Sequence, residues 1–210
     1  MCPPISFYNH HLCHAMSAYI ASGFTERTLV YSIDGSGDSI STSMYIGERG
    51  QCKLMDKTTF PNSMGLFYSL FTQYLGFLKN NDEYKVMSLA AYGNKEFEIS
   101  DVFHLENGKF SLDSKLLSST ISKLKYPLCP TKQEPFYDAS EFSKICTRRL
   151  PFEDITSTHK DLAASFQYAF EQTNIQLIND AMKKYKCKNL CLSGGSALNC
   201  IMVGKVLDSV

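Results

Sequence analysis

The chain has 210 residues, of which 44% are hydrophobic and 20% are charged, a balance typical of a folded domain with an apolar core. Its 21 basic and 21 acidic residues cancel, which disfavours general nucleic-acid binding. The sequence shows no apolar run of bilayer length and no signal peptide. Its eight cysteines contain no C-x-x-C pair and are expected to be reduced. We therefore expect a cytoplasmic protein with no nucleic-acid or membrane partner.

Three histidines stand close together, and two of them are four residues apart. Residues 10–21 are predicted to form a helix capped by Asn9, which places His10 and His14 one turn apart on one face. Two neutral imidazoles at this spacing can chelate one cation, although a helix that is merely rich in histidine is the alternative. His11 falls on another face. The sequence has no H-E-x-x-H pattern here, so a zincin protease is excluded.

An acidic, glycine-rich run follows the first predicted strand, residues 28–33. The run DGSGD at residues 34–38 is predicted to turn the chain into a second strand, residues 40–46. Gly35 and Gly37 free the backbone to turn tightly and to bring N–H groups towards a phosphate. An ordinary Asp-Gly hairpin turn is the alternative, and the run alone favours it.

A second glycine pair lies between a short predicted strand, residues 188–192, and a helix that is predicted to open at Ala197. A strand, the pair Gly194 and Gly195, and a helix N-terminus together present backbone donors and a positive dipole end to an anion or nucleotide. The pair alone is weak evidence. The ordered set of two histidines, acidic run and glycine pair predicts an enzyme that handles a nucleotide or phosphate with the help of a metal.

Two helices and a hairpin are predicted in the middle of the chain. The first helix follows Pro61, and its apolar stripe is predicted to face the core: Phe67, Leu70, Phe71, Tyr74, Leu75 and Leu78. Residues 83–91 are predicted to form a helix that ends with Gly93 in the C′ position. Residues 102–105 and 109–112 are predicted to form a hairpin with an Asn-Gly turn.

The last part of the chain contains an irregular segment and a long helix. Residues 126–151 are rich in proline and are predicted to be irregular. The helix is predicted to begin with a capping box formed by Thr158 and Asp161. Within this region His159 is interpreted as structural. Gln167 is interpreted as a surface amide, and a side chain that faces the site is the alternative.

Seven motifs, in this order along nearly the whole chain, resemble the O-carbamoyltransferases of the nodulation-factor and antibiotic type, including those that carbamoylate tobramycin and cephamycin. The motifs EYKVM and GGxALN are the most specific. The set consists of HHLCHA at 10–15, DGSGD at 34–38, FPNSMGLFY at 60–68, YLGF at 74–77, EYKVMSLAAYG at 83–93, DLAASFQ at 161–167 and LSGGSALN at 192–199.

The resemblance implies an α/β fold of the actin-like ATPase (ribonuclease H-like) type, with a mixed sheet flanked by helices. It implies that His10, His14 and Asp34 bind a divalent metal, with iron(II) favoured and zinc or manganese left open. It also implies that ATP or carbamoyladenylate is bound by a further set of residues, namely Gly35, Ser36, Gly37, Glu83, Gly194, Gly195 and Asn199.

The activity implied by the resemblance is transfer of a carbamoyl group from carbamoyl phosphate, through carbamoyladenylate, to a hydroxyl group of a small-molecule acceptor. His11 is the candidate proton acceptor, because a metal-bound imidazole is a poor base. Lys85, in the EYKVM motif, is a second catalytic candidate without an assigned role. Glu83 and Lys85 do not share a helix face, and a solvated charge pair is the alternative for them.

Members of this family are longer than this sequence. They have a half-domain before the histidine helix, with a further phosphate loop, and a separate C-terminal domain that forms the adenylate. We therefore expect residues 1–210 to form a single partial domain, incomplete at both ends. It is either the nucleotide- and metal-binding part of a carbamoyltransferase or a non-catalytic remnant or partner module of a split enzyme. A complementing chain or a homo-oligomer is expected to supply what is absent.

Overall fold

A computed structural model describes residues 3–99, 102–113 and 140–210. In chain order the elements are α1 (His10–Ser22), β1 (Thr28–Gly37), β2 (Ile40–Glu48), β3 (Gln51–Thr59), α2 (Met64–Tyr74), α3 (Glu83–Ala90), β4 (Phe103–Glu106), β5 (Lys109–Leu112), α4 (Ser140–Ser143), α5 (Ser157–Tyr185), β6 (Asn189–Ser193) and α6 (Cys200–Leu207). None of the helices in these ranges is both long and apolar enough to cross a bilayer.

The main sheet is mixed and has the strand order β3-β2-β1-β6. Strands β1, β2 and β3 form an antiparallel meander, and β6 pairs parallel to β1, with Thr28 opposite Asn189. Helix α1 packs on one face of β1 and β6 around Ala15 and Tyr19, whereas α2 and α5 cover the larger core. The expectation of an α/β fold with a mixed sheet between helices is confirmed.

Helix α1 begins where the sequence predicts. The Asn9 side chain accepts a hydrogen bond from the Leu12 N–H, which satisfies one of the unpaired donors of the first turn. The helix ends at Gly23, whose φ of 70° is the left-handed conformation that glycine adopts without strain. The predicted helix at residues 10–21 is therefore confirmed to within one residue.

The turn between β1 and β2 lies later than the sequence predicts. Strand β1 continues through Gly37, which pairs with Ile40, and the register shifts between Ile33 and Gly37. The turn consists of Asp38 and Ser39, whose φ angles of 50° and 61° match a two-residue type I′ turn. The prediction that DGSGD itself forms the turn is wrong, because the irregular end of β1 accommodates both glycines.

Helix α2 supplies the centre of the core. Ser63 caps it by accepting from the Leu66 N–H, and Phe67, Phe71 and Leu75 are fully buried. The ring of Phe71 stacks on that of Phe166, with centroids 3.9 Å apart. Leu78 is 63% exposed, so its assignment to the stripe is wrong. The helix ends at Tyr74, and the helical period therefore does not extend to Leu78.

Helices α3 and α5 pack closely through a glycine. Gly93 does not have the positive φ expected of a C′ glycine, and the helix cap is Ala91 in the right-handed region. A Cβ atom on Gly93 would lie 2.1 Å from the Lys160 carbonyl oxygen in α5. The prediction of a C′ role for Gly93 is therefore wrong. Its missing side chain instead allows the two helices to approach.

The capping box of α5 is shifted by two residues from its predicted place. Thr156 Oγ1 accepts from the His159 N–H, and His159 Nδ1 accepts from the Thr156 N–H. His159 is structural, as expected, whereas Asp161 accepts a hydrogen bond from the Asn94 N–H. Imidazole thus replaces the glutamate usual in this motif, which explains why the pattern pointed to the wrong pair.

The second hairpin is confirmed. Asn107 and Gly108 have φ angles of 53° and 74°, as a type I′ turn between β4 and β5 requires. Most of the segment predicted to be irregular, residues 126–139, lies outside the described residues. The remainder contains the short helix α4.

Candidate metal centre and adjoining cleft

Two histidines of α1 and one aspartate of β1 converge on one point. The Nε2 atoms of His10 and His14 lie 3.0 Å apart. Asp34 Oδ2 lies 2.7 Å from His10 Nε2 and 3.2 Å from His14 Nε2. Among the described residues these three form a group whose donor atoms could hold one metal ion. The structure thus brings together the three residues expected to be ligands.

The separations of the donor atoms suit a divalent cation. Bonds of about 2.1 Å that meet at right angles would place donor atoms about 3 Å apart, close to the three observed separations. Two imidazole nitrogens and one carboxylate oxygen form a mixed donor set that binds borderline first-row metals. The residues present therefore fit the metal that the resemblance implies, and three ligands leave coordination positions for other groups.

The N-terminus of α1 is held against the turn that follows β1. Asp38 Oδ2 accepts from the His10 backbone N–H at 2.7 Å and from Asn9 Nδ2 at 2.9 Å. A carboxylate at this end of a helix also interacts favourably with the helix dipole. The contact fixes the helix that carries both histidines relative to the strand that carries Asp34.

Asp34 uses its two oxygens in different directions. Oδ2 faces the histidines, whereas Oδ1 accepts from the Gly35 N–H at 2.8 Å and from the Gly195 N–H at 3.3 Å. Burial alone would raise the pKa of Asp34. Hydrogen bonds from His10, the Gly35 N–H and His14 outweigh that effect and hold the pKa below its usual value. Asp34 is therefore an anionic candidate ligand that also contacts the second glycine pair.

Gly37 makes room for the first histidine. A Cβ atom at this position would lie 2.0 Å from Cδ2 of the His10 ring, a distance that real atoms do not adopt. The φ of Gly37 is not positive, so backbone conformation alone does not require glycine here. Ser36 is exposed on the same segment, and neither Ser36 nor Gly37 is among the residues that line the cleft described below.

His11 is not brought to the metal centre. It is fully buried, its Nε2–H donates to the Ile40 carbonyl at 2.9 Å, and its Nδ1 accepts from the Ser43 hydroxyl at 2.8 Å. Burial lowers the pKa of His11, so the imidazole is neutral. Both ring nitrogens are occupied, and this environment does not suit the predicted role as a proton acceptor for a substrate. His11 instead joins α1 to β2.

A cleft of about 450 Å³ opens beside the metal centre. Its volume is in the range of small-molecule sites. Asp34 belongs to both the cleft and the metal centre. Apolar side chains form much of the wall, and the lining residues are Asp34, Gly35, Gly65, Leu66, Tyr68, Ser69, Asn80, Asn81, Glu83, Tyr84, Met87, Phe170, Gly195, Ser196, Leu198 and Asn199.

Glu83 and Lys85 of the EYKVM motif have different surroundings. Glu83 lines the cleft, and its Oε1 accepts from the Ser69 hydroxyl and from the Asn80 N–H. Lys85 does not line the cleft, and its Nζ lies 3.0 Å from Asp82 Oδ2. The hydrogen bond to Asp82 raises the pKa of Lys85, so the ammonium remains charged. The structure places Glu83 at the site but not Lys85.

The second glycine pair lies at the end of β6. Gly194 has a φ of 89°, and a Cβ there would lie 2.2 Å from the Ile33 carbonyl oxygen, so this position requires glycine. A short 3₁₀ turn, Gly195–Leu198, follows, and α6 begins only at Cys200. The predicted helix start at Ala197 is therefore early. Asn199 caps α6 by accepting from the Met202 N–H at 3.0 Å.

Sequence reasoning missed a buried polar network behind the cleft. Gln167, interpreted as a surface amide, is only 3% exposed and contacts Tyr68, Asn199 and Glu171. The interpretation as a surface residue is wrong, because the middle of α5 is buried on most of its circumference. The available signal was a glutamine next to a core phenylalanine, Phe166, within the DLAASFQ motif.

Comparison with known proteins gives these features a context. The model of the family described as "Carbamoyltransferase N-terminus" matches residues 1–210. The chain belongs to this family. It is therefore a carbamoyltransferase N-terminal domain, a member of a family of transferase enzymes, as the sequence motifs indicated.

Relatives of this carbamoyltransferase domain include nodulation proteins. The chain is 34% identical to nodulation protein NolNO of Sinorhizobium fredii, over 98% of this chain and 27% of the relative. It is also 34% identical to nodulation protein NolO of Bradyrhizobium diazoefficiens, over 96% of this chain and 33% of the relative. An uncharacterized protein of Synechocystis is 34% identical over 98% of this chain and 32% of its own length. The chain thus spans about a third of the length of these relatives.

Proposed function

We propose that this carbamoyltransferase domain is the metal- and nucleotide-binding part of an O-carbamoyltransferase. The complete enzyme would transfer a carbamoyl group from carbamoyl phosphate, through carbamoyladenylate, to a hydroxyl group of a small molecule. The observation that carries the proposal is the position of Asp34. One of its oxygens faces the two histidines, whereas the residue also lines a cleft of about 450 Å³.

The charges along the cleft support one direction for a bound nucleotide. Glu83 brings a carboxylate to the cleft wall, where it would repel a phosphate and accept hydrogen bonds from sugar hydroxyls. Asp34 also lines the cleft, and a metal held by His10, His14 and Asp34 would attract an anion there. We therefore place the phosphate or carbamoyl group near Asp34 and the nucleoside near Glu83.

Apolar side chains at the mouth of the cleft suit a base. Tyr84 is 57% exposed and Leu198 is 83% exposed, and both line the cleft together with Met87. Large exposed apolar groups beside a pocket are typical of ligand sites, where a flat ring covers them. In this proposal these side chains contact the adenine of the nucleotide.

His10, His14 and Asp34 would hold the metal in the complete enzyme. Iron(II) is the proposed metal, because two histidines and one carboxylate with open positions are typical of non-haem iron(II) sites. A bound divalent metal would supply a Lewis acid for the carbonyl or phosphoryl oxygen of the substrate. Neither His11 nor Lys85 is retained as a catalytic residue in this proposal, given their buried and ion-paired environments.

The fold proposal follows the same resemblance. We propose that the domain has the actin-like ATPase, ribonuclease H-like architecture. An antiparallel meander β1–β2–β3 with β6 parallel to β1 is compatible with it. The separate adenylate-forming domain, or a complementing chain, would then lie outside these 210 residues.

Calorimetry tests the proposal by measuring the affinity of the chain for a non-hydrolysable carbamoyladenylate analogue. The titration is run with iron(II) and without it, and oxygen is excluded throughout. We expect metal-dependent binding by the wild-type chain. We expect His14→Ala to lose both the metal and the metal-dependent part of the affinity. His104→Ala is the matched control, since His104 is an exposed residue of β4.

Normal metal content in His14→Ala would overturn the ligand assignment. If the folded, metal-loaded protein does not bind the analogue, the non-catalytic partner module becomes the better interpretation.

A further inference from the structure

The buried network behind the cleft, here called the amide network, consists of Gln167, Asn199, Tyr68 and Glu171. Gln167 and Asn199 form a reciprocal pair of amides. Gln167 Nε2 donates to Asn199 Oδ1 at 3.0 Å, and Asn199 Nδ2 donates to Gln167 Oε1 at 2.9 Å. The Tyr68 hydroxyl donates to the same Gln167 oxygen at 2.8 Å, and Gln167 Nε2 also donates to Glu171 Oε1 at 2.8 Å.

Gln167 is saturated by these contacts. A glutamine amide has two N–H donors and two acceptor lone pairs, and here all four are engaged. The residue is 3% exposed, so water does not substitute readily for a lost partner. Two of its partners, Tyr68 and Asn199, line the cleft, whereas Gln167 and Glu171 lie behind them.

The direction of both amides is fixed from two ends. Asn199 Oδ1 accepts from the Met202 backbone N–H of α6, so the oxygen of this amide cannot be exchanged with its nitrogen. At the other end the Glu171 carboxylate accepts, so Gln167 must present its NH₂ group there. The Met202 N–H at one end and the Glu171 carboxylate at the other therefore require the same orientation of the two amides. The amide network therefore has one arrangement of donors and acceptors.

We infer that Gln167 is a positioning residue of the cleft, which holds the Asn199 amide and the Tyr68 hydroxyl in a single orientation against the nucleoside. The inference rests on the proposed function, since the nucleoside is the proposed ligand. Gln167 acts through its two neighbours and does not touch the ligand itself. It also joins α5, α2 and the start of α6, the three elements that form this wall.

Gln167 fixes the orientation of the polar groups in the cleft wall before a ligand binds. Without it, the Asn199 amide and the Tyr68 hydroxyl would turn towards other partners or leave buried polar atoms unpaired, which is unfavourable. Ligand binding would then have to restore the arrangement, and the affinity would fall. The side-chain length of methionine matches that of glutamine, but methionine offers none of the four hydrogen bonds.

The experiment compares Gln167→Met with Gln172→Leu, a change at an exposed glutamine of the same helix. The first readout is NMR hydrogen exchange of the Asn199 side-chain amide in the ligand-free chain. The second is calorimetric binding of AMP. For Gln167→Met we expect amide exchange at least about tenfold faster and AMP affinity about tenfold weaker, while the backbone amides of α5 stay protected. For Gln172→Leu we expect wild-type values in both readouts.

A second variant keeps the test decisive if Gln167→Met does not fold. Asn199→Asp retains an acceptor for the Met202 N–H, since aspartate caps helices as well as asparagine does. It cannot donate to Gln167 Oε1, whereas the Gln167 NH₂ group keeps both of its acceptors, so we expect a folded chain with weakened AMP binding. Wild-type AMP affinity in a folded Asn199→Asp chain would overturn the inference.

Three results separate the inference from the function on which it rests. Unchanged exchange of the Asn199 amide in Gln167→Met would overturn the inference. Faster exchange with unchanged AMP affinity would also overturn it, because the orientation would then not matter to the ligand. Failure of the wild-type chain to bind AMP would overturn the proposed nucleotide function. The exchange data would still decide whether Gln167 orients Asn199.

Discussion

At the scale of single residues, a missing side chain determines where the first histidine lies. The His10 ring occupies the space where Gly37 would otherwise carry a Cβ atom, 2.0 Å from the ring carbon Cδ2. The sequence predicts that the glycine-rich run, which forms the end of β1, approaches a phosphate. Of its two glycines, Gly35 lines the cleft and Gly37 adjoins the ring of His10, a proposed metal ligand. One short motif thus contacts two different parts of the site.

Substitution of Gly37 by alanine should weaken metal binding without unfolding the chain. Alanine is compatible with the backbone here, so the new methyl group displaces the movable His10 ring rather than the strand. We expect an affinity for manganese(II), an air-stable probe, that is about 10–100-fold weaker, and a metal-free melting temperature close to that of the wild type. Titration calorimetry and circular dichroism measure the two quantities.

Gly35→Ala is the matched control for this change. Its Cβ would lie 3.4 Å from Leu66 Cδ2, an ordinary contact distance. We expect near-normal metal affinity in Gly35→Ala. Equal manganese affinity in Gly37→Ala and the wild type would show that the His10 ring does not need this space.

The sequence predicts individual residues well where spacing alone places them together. His10 and His14 share a helix face at i, i+4, and the resemblance adds Asp34. Gln167 could not be found in this way, because periodicity separates polar from apolar residues and does not show whether a polar side chain has buried partners. His11 shows the same limit, since its spacing excludes it from the ligand face but does not reveal that Ser43 and Ile40 enclose it.

At the scale of elements, close approaches between backbones determine how the helices lie. Gly93, beyond α3, lies against the Lys160 carbonyl of α5, and a Cβ on Gly76, beyond α2, would lie 2.8 Å from the Arg149 carbonyl oxygen. The existence of α2 and α5 could be predicted from their apolar faces, and α1 was predicted from the spacing of its histidines and the Asn9 cap. Their ends were less predictable, because caps such as Thr156 with His159 use residue types outside the common pattern.

Two glycine substitutions should have opposite effects on stability. Gly93→Ala should destabilise the chain by about 1–3 kcal/mol, because the methyl group would force α3 and α5 apart. Gly204→Ala should stabilise it by about 1 kcal/mol, since Gly204 lies in α6 and, apart from the helix's own backbone, the added Cβ would meet nothing within 4 Å. Urea unfolding measures both. A Gly93→Ala variant as stable as the wild type would contradict the packing role of Gly93.

At the scale of the whole molecule, the cleft depends on parts that are distant in the sequence. Its walls come from β1, α2, α3, α5 and the turn before α6. A buried carboxylate, Glu171, lies behind one wall. Burial raises the pKa of Glu171, and the hydrogen bond from Gln167 and the charges of Lys205 and Lys95 only partly offset that effect. The stability of the whole chain is therefore linked to pH through this group.

Glu171→Gln should reveal this linkage. Below about pH 4.3, the ordinary pKa of glutamate, the carboxyl of Glu171 is neutral in both the folded and the unfolded chain. Its burial then does not lower the free energy of unfolding through its charge. As the pH rises towards the higher folded-state pKa, the unfolded chain loses the proton first, and the wild type loses stability. We expect the stability of Glu171→Gln relative to the wild type to increase over this interval. Urea midpoints at several pH values measure it.

The matched control is Glu26→Gln, at an exposed position. A difference between Glu171→Gln and the wild type that stays constant across the pH series would contradict the expectation. Glutamine retains an oxygen that can accept from Gln167, so the comparison isolates the charge.

The metal centre and the cleft differ in the sequence separation of the residues that form them. Asp34 meets His10 across 24 residues, whereas its contact with Gly195 spans 161 residues. Each doubling of a closed loop costs about 0.6 kcal/mol of chain entropy, so the shorter closure is cheaper and faster. We therefore expect Asp34 to meet His10 before it meets Gly195. The three proposed metal ligands can meet while α5 and α6 are still undocked, and an ion captured at that stage would hold β1 against α1 as the rest of the domain folds onto them.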